Sequence, residues 1–295
     1  MRELMISSAI ALALMGSYAT AQDLSDGGRA AAACSGQMLS PYPDDLSDDA
    51  PMADKIAARL NRTAMEVAER SDTEDLCQAA FPEGATLFSS MIAGEREAFK
   101  RLGGYRPFLN KNVRAVQKEI TRLWREDQAA RNVMVRLGQD NEEPAKRWAH
   151  ALSIKHAKSV DLESAAYMKE VLKTYDWIDR KRFGDSVSAH AWLLVQHADD
   201  DVEFQALALS RMEPYVATGG VRKRQYAYLW DRVAVNQGRE QRYGTQPTWE
   251  CDANRKMALR PLEDPENVNA RRADMGLNTV EEGLAEMERA VCGVG

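Results

Sequence analysis

From residue 51 onward, apolar side chains recur at steps of three and four, the period of helices with one buried face. Ile56, Leu60, Ala64 and Val67 predict one helix, and Leu87, Met91, Phe99 and Leu102 a second. Gly103-Gly104 and Pro107 then punctuate the chain, and a region boundary is expected near residue 105. The longest signal covers 113–137, with the stripe Val116, Ile120, Leu123, Asp127, Ala130, Met134 and Leu137. One member of that stripe is a carboxylate. A charge on a core-facing position must be paired or must line a cavity. Arg131, four residues on, is placed to pair with Asp127 along the helix surface.

Further helices are expected over 144–158, 162–175, 186–197, 202–215 and 222–236, the last ending at Gly238, a residue suited to a left-handed cap. Helical periodicity lapses over 239–262, where Tyr, Thr, Trp and Pro predict a short β-hairpin or extended arm. Asp264-Pro265-Glu266 reads as an N-cap, a first-turn proline and an acidic first turn. Thr279 with Glu282 forms a capping box for a final helix. No fixed-period repeat is evident. The expected fold class is mainly α, an irregular multi-helix bundle with that hairpin or arm near 239–262.

The N-terminus changes the picture of where the chain works. Arg2 precedes the apolar run LMISSAIALALM, and Ala19-Thr20-Ala21 supplies small residues before a cut ahead of Gln22. This is the pattern of a cleavable secretory signal peptide, and the run is too short to span a bilayer. The expected organisation is therefore a signal peptide over 1–21, an N-terminal helical region with a loosely ordered start over 22–105, and a motif-bearing helical domain over 106–295. The expected location is periplasmic or secreted, with no transmembrane segment after cleavage. Four cysteines, Cys34, Cys77, Cys251 and Cys292, then predict two disulfides, taken as Cys34–Cys77 and Cys251–Cys292. None of them sits at the short spacing of a zinc site. A net charge of -6 with mixed signs excludes the electrostatic footprint of a nucleic-acid binder. Nucleotide cofactors are scarce outside the cytoplasm, and no cofactor is expected.

Three segments carry candidate chemistry. In the helix over 186–197, His190 and His197 stand seven residues apart, two turns on one face, with Gln196 beside them. Such imidazoles serve as general acid–base groups or are satisfied core histidines. About 10 Å of helical rise separates them, so a shared metal ion is not expected. In Tyr228-Leu229-Trp230-Asp231-Arg232-Val233, one of the two charges must face inward and find a partner from elsewhere. In Gln241-Arg242-Tyr243-Gly244-Thr245-Gln246, backbone and side-chain groups can hold a ligand or stitch an arm onto the helices.

The ordered segments LWREDQAAR, WLLVQHADDDVEFQ, AYLWDRVAVNQGREQRYGTQ and DPENVNARRADMGL strongly resemble a bacterial domain family of unknown function, over roughly residues 110–290. The chain departs from the family's Gly-Trp-Pro at Trp177, which Asp176 and Ile178 flank. The resemblance brings no activity. It implies a grouping of Asp127, Gln128, Arg131, His190, Gln196, His197, Asp231, Arg232, Gln241, Tyr243, Thr245 and Gln246, expected to converge in one cleft.

Two functional readings follow. The first is an exported binding or scaffold module whose His/Asp/Arg/Gln cluster specifies helix packing or holds an envelope peptide or glycan. The alternative is an envelope-acting hydrolase, with His190 or His197 as base and Asp127 or Asp231 as its orienting carboxylate. In that case Gln128, Arg131, Gln196, Arg232, Gln241, Tyr243, Thr245 and Gln246 would bind the substrate. A water nucleophile is then required, since G-x-S-x-G is absent and the cysteines are expected to be oxidised.

Overall fold

A computed structural model of the chain describes residues 71–139 and 143–293. The signal peptide, the helix expected from residue 51 and Cys34 lie outside the described residues. Helices α1 (Ser71–Ala80), α2 (Pro82–Phe99), α3 (Lys111–Gln139) and α4 (Pro144–Thr174) come first. Then follow α5 (Arg180–Phe183), α6 (Asp185–Gln196), α7 (Val202–Val216) and α8 (Lys223–Asn236). Strands β1 (Pro247–Cys251) and β2 (Met257–Leu259), a 3-10 turn (Pro265–Asn267), α9 (Val268–Asp274) and α10 (Val280–Cys292) complete the chain. The mainly helical class and the short hairpin are as the pattern predicts.

The described chain divides into two compact units, and α3 and α4 each contribute a part to both. One unit holds α1, most of α2, and the segments 129–139 and 143–157. There Cys77 and Trp148 are buried together, with Phe81, Ala151 and Leu152 against them. The other holds 98–128 and everything from residue 158 on. Its core draws Ile120 and Leu123 from α3, Met168 from α4, Leu194 and Val195 from α6, Met212 from α7 and Leu229 from α8. Of the α3 stripe, Ile120, Leu123, Asp127, Ala130 and Leu137 are buried and Val116 and Met134 half-buried.

Two elements differ from their sequence pattern. The expected helices at 144–158 and 162–175 are one continuous α4 of 31 residues. No glycine or proline interrupts positions 145–174, so nothing stops the helix. Asp264 does not cap by its side chain: its φ is 47° and its carboxylate accepts from Asn267 Nδ2 and Arg271 Nη1. The short α5 has no counterpart in the periodicity. Its N-cap is Asp179, whose carboxylate accepts from the Lys181 and Arg182 amides.

The C-terminal arm is bound to the helices at several points. β1 and β2 pair antiparallel, Pro247 with Leu259 and Cys251 with Met257. Cys251 is disulfide-bonded to Cys292 at the end of α10. One turn earlier on α10, Glu288 accepts from Lys256 Nζ at 2.8 Å and the Met257 amide at 3.1 Å. The capping box of Thr279 and Glu282 opens α10 as the sequence predicts.

Candidate functional site

The motif residues of the second unit fall into three neighbourhoods. At the centre of α3, Asp127 is 1 % exposed, and its Oδ1 meets His197 Nδ1 at 2.7 Å. Its second oxygen accepts from Gln128 Nε2 at 2.8 Å. His197 is not a helix-face residue but the C-cap of α6, with its side chain 14 % exposed. Asp161, on α4, joins them: one donor atom from each of Asp127, Asp161 and His197 lies within 4.8 Å of the others.

The His197 corner is fixed from behind. Gln205, fully buried on α7, donates through Nε2 to the carbonyls of Val195 and Gln196 and to Asp199. It therefore caps the end of α6, sharing Val195 O with the Ala198 amide. Arg232 clasps Asp199 through both Nε and Nη2 and donates from Nη1 to Gln246 Oε1. Asn236 bridges Asp199 to Gln205 Oε1. These side chains hold Asp199, two residues after His197, and the Gln196 carbonyl just before it. The contributions of Gln205 and Asn236 are easily missed in the sequence, although both lie inside the motif-bearing segments.

His190 sits apart from this corner. Its ring stacks on Trp124 with centroids 4.1 Å apart and planes 10° off parallel. Gly103 lies against the same stack at φ +67°, and a Cβ there would come within 2.2 Å of the Trp124 ring. Glycine is required both by the left-handed backbone and by the closeness of the indole. Burial, and then the Arg125 charge, push the His190 imidazole down to about 4. Among the described residues, the buried Nδ1 of His190 and Oε1 of Gln196 have no hydrogen-bond partner.

The low His190 value has a thermodynamic consequence. Unfolded histidine takes its proton near pH 6.5, whereas the folded ring stays neutral to about 4. Below pH 6.5 the unfolded chain therefore binds the extra proton, and stability falls with pH down to about 4. Urea unfolding at pH 7 and 4.5 should show a loss of about 2 kcal/mol from this group. A His190→Gln variant should lose that much less over the same range. An identical pH dependence in the variant would refute the assignment.

The third neighbourhood surrounds Asp231, which is 0 % exposed. Its carboxylate accepts from the amides of Arg242, Tyr243 and Thr245 and from Thr245 Oγ1, all within 2.8–3.0 Å. Burial pushes this carboxyl up, and the four donors pull against that rise. Gln241, also fully buried, donates to Arg260 O and accepts the Gln246 amide. Arg272 donates to the Tyr243, Gly244 and Asn278 carbonyls. Asp231, Gln241, Tyr243, Thr245 and Arg272 thus seal the arm onto α8. Arg131 is half-buried on α3, in the stretch that belongs to the first unit.

A helical domain with a small β-arm, a buried carboxylate nest and a half-open Asp–His pair is what the fold and these neighbourhoods define. Residues 114–293 match the model described as Family of unknown function (DUF6624), and the chain belongs to that family. No curated protein and no solved structure matches it. Among the described residues, no helix is long and apolar enough to cross a membrane.

Proposed function

We propose that the chain is an exported helical binding module that takes a small polar ligand at the His197 edge. One observation carries this reading. His197 is held at 2.7 Å by a carboxylate that is itself buried, yet its ring keeps an edge to solvent. An imidazole held in this way is oriented by its carboxylate partner. The Asp231 network, by contrast, spends its acceptors on the arm's own amides and has the character of a fold-specifying element. The leader pattern over 1–21 and the Cys251–Cys292 bond both suit an oxidising compartment.

The same pair supports a second reading, an envelope hydrolase in which His197 is the general base and Asp127 its orienting group. His190, buried against Trp124, suits that role less well.

The test uses the mature chain, residues 22–295. Muramyl dipeptide, trialanine and chitotriose are screened by thermal shift and followed by NMR. At least one probe should bind, and His197→Ala should abolish that binding while helical content is retained. The hydrolase reading further expects turnover of the bound probe, lost in the same variant. Binding that survives His197→Ala, or no binding by any probe or by a metal ion, would overturn the module reading. A chain recovered from the producing cell with Met1 intact would overturn export.

A further inference from the structure

We propose that Asp127, Asp161 and His197 form a site for one divalent transition-metal ion of the zinc class. The inference rests on the reading of the His197 edge as a binding site and names what binds there. The three side chains come from separate elements: the middle of α3, the middle of α4 and the C-cap of α6. The fold brings one donor atom of each within 4.8 Å of the others.

Chemistry favours a metal of this class. Two carboxylates and an imidazole are donor types that a divalent ion of this class accepts. The mixed nitrogen and oxygen set suits zinc, cobalt or manganese better than calcium, which takes six to eight oxygens, or magnesium, which keeps most of its waters.

Geometry agrees. Two ligands bound at about 2.0–2.1 Å to a tetrahedral ion stand roughly 3.3 Å apart. The His197 Nδ1 and Asp127 Oδ1 atoms are already 2.7 Å apart, so roughly half an ångström of opening would admit the ion. Gln128 Nε2 holds the other Asp127 oxygen, the kind of outer hydrogen bond that fixes a ligating carboxylate. The locked residues behind His197 restrict that ligand in the same way. Three protein ligands leave a fourth position for water or another ligand, and Asp161 and His197 are only half-buried.

The experiment treats the mature chain with EDTA, removes the chelator and titrates with ZnCl2 by calorimetry and with CoCl2 by visible absorption. The expected result is one ion per chain and a cobalt spectrum of four- or five-coordinate type. Asp161→Asn and His197→Gln should each weaken binding on the order of 100-fold while circular dichroism stays unchanged. Because Asp161 is half-buried, its amide variant tests the site without removing a core group. Lack of a cobalt spectrum in the wild type overturns the proposal. So does binding that both variants leave intact, as it would be for a metal held at His150 or His156. If an organic probe binds through His197 but no metal does, the metal site falls and the binding module stands. If neither binds, both fall.

Discussion

Replacing Asp231 by Ala should cost about 4 kcal/mol of folding stability. The carboxylate accepts three backbone amides and one hydroxyl in a place water does not reach. Losing it leaves the buried Tyr243 and Thr245 amides and the part-buried Arg242 amide without an acceptor, a buried one costing about 1–3 kcal/mol when orphaned, and partial relaxation of the arm recovers some of that. Asp231→Asn should fall between the two. It keeps one acceptor oxygen but turns an N–H₂ group towards donors, which repel it. Urea unfolding gives the magnitude, and amide hydrogen exchange gives the location. Exchange at Tyr243 and Thr245 should accelerate strongly in the Ala variant, while amides in α6 change little. A loss under about 1 kcal/mol, or unchanged exchange at those two amides, would show that the nest does not hold the arm.

The result matters for function because it separates two roles that the sequence shows side by side. Asp127 and Asp231 both stand on helix positions that face inward, and each invites an acid–base reading. Their surroundings decide between them. Asp231 meets amides of its own chain and Asp127 meets an imidazole. Which of these a carboxylate finds depends on what the arm and the neighbouring helix bring to it, and no spacing within one helix records that.

What was legible is what local periodicity and capping control. The α3 stripe, its buried Asp127, the Thr279–Glu282 box, the hairpin and the Cys251–Cys292 pairing all follow from short-range pattern or from simple loop arithmetic. What was not legible is long-range. His197 looks like a second imidazole on the His190 face, but α6 ends just before it, and the cap turns its ring to Asp127. Asp161 falls in the gap between two expected helices, so no face could be assigned to it. The continuous α4 places it beside Asp127, 34 residues away in sequence. Gln205 reads as an ordinary amphipathic position until its amide is seen to satisfy the end of another helix.

Cys251→Ser/Cys292→Ser should lower stability by about 4 kcal/mol. The bond joins residues separated by 41 positions, and loop-closure entropy for a ring of that size gives this figure. For a domain of this length the melting temperature should drop by roughly 10 °C. The double variant is preferable to reduction because it leaves Cys77 untouched. Glu288 spans nearly the same gap through Lys256 and the Met257 amide, so the arm should stay docked at moderate temperature and the loss should appear mainly on heating or in urea. A variant as stable as the wild type would mean that Glu288 and the hairpin already restrain the chain without the bond. The expected loss also bears on compartment. In a reducing cytosol the bond does not persist, and the arm that closes over Asp231 has one covalent tie fewer. In an oxidising space the tie is permanent, and the arm that presents Gln246 to Arg232 is fixed with it. Through Arg232 and Asp199 that restraint reaches the corner carrying His197, so on heating the double variant should loosen the site as well as the fold.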